Sequence, residues 1–309
     1  MTESIGTRTG LLGPGDEAPV STHVVEVDGI PMSALLAEAS DPRAVIVALH
    51  GGATTSAYFD CPGHPRLSLL RTAPALGFTV LALDRPGYGS SAPFATEISA
   101  AERRVELAYG VVERLLGARP LGAGVFVLAH SAGCELAVRM AADVRGADLL
   151  GVELSGTGRE HHADAVRVLS VAGQDRGARL RELLWEPSAL YPPEIFGGAA
   201  IAARGPMYEA TMMPTWTTHD FPRLAARIAV PVQLTVAAHE RVWRTDRLAL
   251  AEMLALFAGA PRVVLNEQAD SGHNISMGHS ATAYHLKVMS FVEECVLVRD
   301  RAIWRRSPS

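Results

Sequence analysis

The feature that most constrains this chain is one short turn. Val125-Phe126-Val127-Leu128-Ala129 is an unbroken apolar run, and Glu135-Leu136-Ala137-Val138-Arg139-Met140-Ala141-Ala142 has the character of a helix. An apolar run this short reads as a strand covered on both faces, the kind found in parallel sheets. Only His130-Ser131-Ala132-Gly133-Cys134 joins the two, with small residues, Ala129 and Gly133, two positions to either side of Ser131. A serine here lies where a strand ends and a helix begins.

The rest of the chain repeats that alternation. Apolar strand patterns at about residues 44–49, 78–83, 125–130, 149–154, 231–236 and 262–266 alternate with helical segments, which predicts an α/β fold with a mostly parallel sheet flanked by helices. Ahead of them, His23 to Ile30 alternates towards Asp28-Gly29 and Pro31 to Ala37 returns, a β-hairpin forming the leading edge. Residues 1–19, rich in Gly, Thr and Pro, read as a mobile leader. Between Leu154 and Pro231 the alternation stops for too long to be an ordinary connection. Residues 156–227 are therefore expected to form a cap, with helices near 163–171 and 179–184, and the core comprises residues 20–155 and 228–298. A last helix is expected over 281–298, followed by a solvated basic tail, 299–309.

Four further motifs fall at strand ends. Strand 44–49 runs into His50-Gly51-Gly52-Ala53, and strand 78–83 into Asp84-Arg85-Pro86-Gly87-Tyr88-Gly89. Glu240 follows the strand near 231–236, and His273 lies in Asp270-Ser271-Gly272-His273-Asn274 after the last strand. With Ser131 these motifs resemble the α/β-hydrolase superfamily from about residue 44 to residue 298, with one interruption. The resemblance implies an α/β-hydrolase fold with a helical cap inserted after strand 6. It implies that Ser131 occupies a strained nucleophile elbow, although Ala129 stands where the usual G-x-S-x-G pattern has its first glycine. It makes Ser131 the nucleophile, His273 its base and Glu240 the acid that fixes the imidazole tautomer, in the chain order of that family. Asp246 and Glu153 are rivals for the acid, and His279 for the base. The N–H groups of Gly52 and Ala132 are the expected oxyanion donors, with Ala53 close behind. His50 would support that loop, and Asp84 would brace the glycine turn. His130 would line the base of a mainly apolar pocket together with Trp185, Tyr191, Tyr208, Met212, Met213 and Trp216 of the cap, unless these large side chains simply pack the cap onto the body.

Composition bounds the rest. The chain has 309 residues, 48% hydrophobic and 20% charged, with a net charge of −5 and a pI near 6.1. That is ordinary for a globular domain and offers no basic surface to nucleic acid or an anionic membrane. Cys61, Cys134 and Cys295 have no spacing that suggests a disulfide framework or a zinc site. The first residues lack the basic start and apolar run of a signal peptide, so a cytoplasmic protein is expected. Neither metal nor organic cofactor is required. The expected reaction is hydrolysis of an ester, thioester or lactone bond of a mainly apolar small molecule through an acyl-enzyme. Two alternatives stay open: C–C hydrolysis, lyase or cyclisation chemistry in natural-product biosynthesis with the same Ser and His, and a non-catalytic small-molecule receptor. A homo-oligomer is compatible with the sequence.

Overall fold

The computed structural model describes residues 19–170 and 175–304. Within them, strands β1 (Ser21–Val27), β2 (Ile30–Ala37), β3 (Ala44–Leu49), β4 (Phe78–Leu83), β5 (Val125–His130), β6 (Gly151–Ser155), β7 (Val232–Ala237) and β8 (Val263–Gln268) form one sheet. Its order is β1-β2-β4-β3-β5-β6-β7-β8. β1 and β2 pair antiparallel, as do β2 and β4, and every later pair is parallel. The hairpin turns at Asp28 and Gly29, whose φ angles of 48° and 80° are those of a turn that matches strand twist. The helices are α1 (Leu69–Thr72), α2 (Ala101–Leu116), α3 (Gly133–Ala142), α4 (Ala163–Leu169), α5 (Asp175–Trp185), α6 (Met207–Trp216), α7 (Asp220–Ala225), α8 (Arg247–Ala255) and α9 (Ala281–Trp304). None of them is long and apolar enough to cross a membrane.

The unbroken apolar runs follow from this layering, because the two-residue period of a strand sends alternate side chains to opposite faces. Val45, Val47, Leu49, Leu81, Leu83, Val127 and Ala129 share one core with Leu107 of α2, Leu136 of α3 and Phe221 of α7. Their neighbours Ile46, Ala48, Val80, Ala82, Phe126 and Leu128 share the other with Leu69 and Leu70 of α1 and Tyr284, Val288 and Val292 of α9. The central strands are thus buried on both faces, and the loops that leave them are where functional groups can gather. In a parallel sheet those loops share the C-terminal edge.

The chain between β6 and β7 carries α4 to α7 and reaches back over that edge. Asn274 Nδ2 donates to Leu184 O at 3.0 Å, and Ala203 N–H to Ala53 O at 3.0 Å. Within this segment α7 lies against α3, with Phe221, Leu224 and Ala225 buried in the first core. At the C-terminus the expected boundary moves. The last helix does not stop at residue 298 but runs to Trp304, and Arg299 Nη2 donates to the carbonyls of Asp148 (3.1 Å) and Leu149 (2.9 Å) ahead of β6. A basic side chain in the expected tail thus ties the helix to the sheet, a contact no local pattern encodes. Residues 1–18 of the expected leader, residue 171 of the expected cap helix and the last residues of the tail, 305–309, lie outside the described residues.

Glu153 illustrates what the sealed sheet imposes. It sits in β6 opposite Gln233 of β7, fully buried, with one carboxyl oxygen accepting from Tyr284 Oη at 3.2 Å and the other without a partner. Burial pushes its pKa from 4.5 up to about 8, against the opposing pull of the polar side chains of Thr235, Gln233 and Tyr284 around it. The folded state then holds a proton that the unfolded chain releases, so stability is full below pH 4.5 and declines as pH rises towards 8. Glu153→Gln, which removes the ionisation and keeps the shape, should flatten that decline. The expected result in urea unfolding is a variant more stable than wild type at about pH 8, with the difference shrinking towards about pH 5.

Candidate active site

β5 delivers Ser131 to the centre of the C-terminal edge. Its φ is 52°, in the left-handed region that residues other than glycine rarely adopt, and its N–H donates to Ser155 O at 2.8 Å while its carbonyl accepts from Cys134 N–H at 2.9 Å. The turn can be this sharp because α3 starts flush against β3. A Cβ on Gly133 would stand 2.5 Å from the carbonyl oxygens of both Leu49 and His50, so only glycine fits.

His273 reaches Ser131 from the loop after β8, and Glu240 reaches His273 from the loop after β7. His273 Nε2 lies 3.1 Å from Ser131 Oγ, and Nδ1 lies 3.0 Å from each carboxyl oxygen of Glu240. Burial alone would raise the Glu240 pKa, but the facing imidazole and the N–H groups of Val242 and Trp243 outweigh it and hold the carboxyl below its ordinary value. An ionised Glu240 accepts, so Nδ1 carries the proton and Nε2 is left free to accept from the serine hydroxyl. The two loops are laced together by Ala238 N–H to Gln268 O (3.0 Å) and His239 N–H to Ser271 O (2.9 Å). Of the expected rivals, Asp246 caps α8 by accepting from Ala249 N–H at 3.2 Å, Glu153 lies inside the sheet, and His279 is exposed.

Beneath the serine, His130 is buried. It stacks on Tyr58 with ring centroids 4.6 Å apart, and its Nε2 donates to His273 O at 2.9 Å. Burial, then the neighbouring His273, drives its pKa well down, so it is a neutral brace for the His273 backbone. Gly156, with φ of 61°, passes so close that a Cβ there would lie 3.0 Å from His130 Nε2 and 3.2 Å from His273 Cε1. Tyr191, from the segment between β6 and β7, accepts from Asn274 N–H at 3.2 Å through its hydroxyl.

Gly52 and Ala132 lie side by side. A Cβ on Gly52 would stand 3.6 Å from Ala132 Cβ, and Ala132 caps the N-terminus of α3, where N–H groups have no helical partner. Ala53 N–H is engaged, donating to Tyr88 Oη at 3.0 Å. His50 is buried, its Nε2 accepts from Arg85 N–H at 3.1 Å, and its Nδ1 donates to Gly51 O at 2.8 Å.

The large side chains expected to line a pocket are dispersed. Trp185 packs edge to face on Tyr191 in the second core, and Trp216 stacks on Phe221 in the first with Arg139 over its ring. Tyr208 is buried, its hydroxyl donating to Pro86 O and the Arg104 guanidinium 4.1 Å above its ring. Tyr208 and Met212 border an open cavity of about 410 Å³ that also touches Arg104 and Arg139 but no member of the Ser131 cluster. Met213 is half-buried on α6. Three residues the sequence reading did not single out meet beside Gly52: Glu209 of α6 pairs with Arg85 at 2.6 Å and accepts from Tyr88 Oη at 2.7 Å. The arginine and tyrosine lie in the glycine-punctuated turn after β4, but nothing local in α6 marks Glu209.

Residues 46–284 match the model of the alpha/beta hydrolase family, and the chain belongs to it. Solved structures share the fold at low identity. A thermostable carboxyl esterase from Bacillus coagulans is similar at 15% identity and a TM-score of 0.65, covering 90% of this chain and 99% of that one. An N-acyl homoserine lactonase mutant with N-hexanoyl homoserine gives 15% and 0.63, covering 90% and 98%. A thioesterase domain from the curacin biosynthetic pathway gives 17% and 0.59, covering 88% and 99%. A search of the curated proteins finds no significant match.

The histidine loop should prove sensitive to its contact with Tyr191. Tyr191→Phe leaves the buried Asn274 N–H without its acceptor and is expected to lower stability by about 1–3 kcal/mol. Thermal unfolding of variant and wild type measures it.

Proposed function

We propose that the protein is a serine hydrolase that cleaves an ester, thioester or lactone of a small, mainly apolar molecule through an acyl-enzyme. The observation that carries this reading is the unbroken hydrogen-bonded chain from Ser131 Oγ through His273 to Glu240, aimed from a strained turn towards Gly52 and Ala132. A serine hydroxyl is a weak nucleophile until a base takes its proton, and here the base has its tautomer fixed by a buried carboxylate. Ser131 Oγ attacks the carbonyl carbon as its proton passes to His273 Nε2. The N–H groups of Gly52 and Ala132 receive the developing oxyanion, assisted by the positive end of α3. His273 then gives its proton to the leaving oxygen or sulfur, and a water activated by the same nitrogen releases the acid. The esterase, lactonase and thioesterase neighbours all bear names of acyl-group cleavage, which supports this class of bond.

Treatment with a small fluorophosphonate tests the nucleophile without a known substrate. Intact-protein mass should show a single adduct on wild type and none on Ser131→Ala, and an unlabelled wild type would overturn the proposal in favour of a receptor. Glu240→Gln keeps the shape but removes the charge that fixes the tautomer, and hydrolysis of p-nitrophenyl acetate should fall by about three to four orders of magnitude. A labelled serine that nonetheless releases no acid from ester, thioester and lactone panels would point instead to lyase or cyclisation chemistry.

A further inference from the structure

We propose that Glu209, carried on cap helix α6, is the positioning residue that aims the oxyanion donor of Gly52. The proposal rests on the serine-hydrolase reading. A trans peptide holds its carbonyl oxygen and its N–H on opposite sides of one rigid plane, so fixing Gly51 O also fixes the direction of Gly52 N–H. Gly51 O accepts from Arg85 Nη2 at 2.9 Å, His50 Nδ1 at 2.8 Å and Thr54 Oγ1 at 3.1 Å. Arg85 is buried, and its other terminal nitrogen, Nη1, lies 2.6 Å from Glu209 Oε1. The carboxylate therefore holds the guanidinium that holds the Gly51–Gly52 peptide.

The next peptide is fixed from the same side chain. A carboxylate only accepts, so the Tyr88 hydroxyl must spend its proton on Glu209 Oε2, 2.7 Å away. Its oxygen is then available to Ala53 N–H, which donates at 3.0 Å from a residue at φ 55°. That commits Ala53 elsewhere and leaves Gly52 and Ala132 as the pair facing the reacting carbonyl. Glu209 itself comes close to the loop, since a Cβ on Gly52 would stand 3.5 Å from its Oε2. The cap also pairs with the loop through its backbone, at the Thr54–Ala202 bridge and from Ala203 N–H to Ala53 O. A carboxylate from the cap thus completes a site whose reacting groups all come from the body.

The experiment compares wild type, Glu209→Gln and Tyr88→Phe in hydrolysis of p-nitrophenyl acetate and in inhibition by phenylboronic acid, whose serine adduct places a tetrahedral oxyanion in the hole. Misaiming one donor should lower kcat by about 10- to 100-fold, with KM changed less than about threefold. Boronate affinity should fall by a similar factor, and Glu209→Asp should recover part of the loss. A merely structural role would lower the melting temperature and leave kcat and boronate affinity of the folded fraction unchanged, and that result overturns the proposal, as does a change confined to KM. Should Glu209→Gln fail to fold, Glu209→Asp decides by the same criteria: it keeps the charge but draws it back from Arg85, so kcat and boronate affinity should fall by a smaller factor with KM little changed. A wild type that fluorophosphonate does not label defeats the underlying reading, whereas a labelled wild type with fully active variants defeats only the role of Glu209.

Discussion

The site depends on the close approach of the start of α3 to the end of β3. Because Gly133 has no side chain, the helix begins against the carbonyls of Leu49 and His50, and the chain must turn within one residue, leaving Ser131 at a φ of 52°. A backbone conformation of this kind costs about 1–3 kcal/mol and persists only where the surroundings over-determine it. The surroundings here are a strand buried on both faces and a backbone hydrogen bond from Ser131 N–H to Ser155 O. The same approach brings the loop after β3 beside the N-terminus of α3, so Gly52 and Ala132 become neighbours. One steric constraint therefore sets both where Ser131 stands and which loop lies beside the start of α3.

Charge is distributed so that each buried group has one role. Glu240 is held ionised by the groups around it, whereas His130 is held neutral by burial and used through a single N–H to His273 O. Burial lowers the His50 pKa in the same way, helped by Arg85, and its two ring nitrogens bridge the loops after β3 and β4. Of the three histidines, only His273 has a ring nitrogen directed at Ser131 Oγ. Glu153, inside the sheet, shows the opposite outcome for a carboxyl with no cation beside it: it keeps its proton.

The segment between β6 and β7 is tied to the residues around Ser131. Its Tyr191 contacts the loop of His273, and its Glu209 contacts Arg85 and Tyr88 beside the loop of Gly52, so both loops are braced from this segment. The large apolar side chains of this segment pack elsewhere. Trp185 and Trp216 are buried in the two cores, and the polar side chains between them make the contacts to the loops of His273 and Gly52.

Much of this was legible in the sequence, for a local reason. Strand and helix periods, the Asp28-Gly29 turn and the small residues around Ser131 are written in neighbouring positions, and each strand end marks a point on one edge of a parallel sheet. Ser131, Glu240 and His273 could be named because all three follow strands, and the structure brings their side chains together across intervals of up to 142 residues. The continuation of α9 to Trp304, the inward turn of Trp216 and the meeting of Arg85, Tyr88 and Glu209 had no such signal. Periodicity says that a side chain faces a core or a cap, but not which of two cores or which partner. Those choices were made by tertiary packing, because a buried carboxylate or a large ring takes its place from whatever groups the whole fold brings within a few ångströms of it.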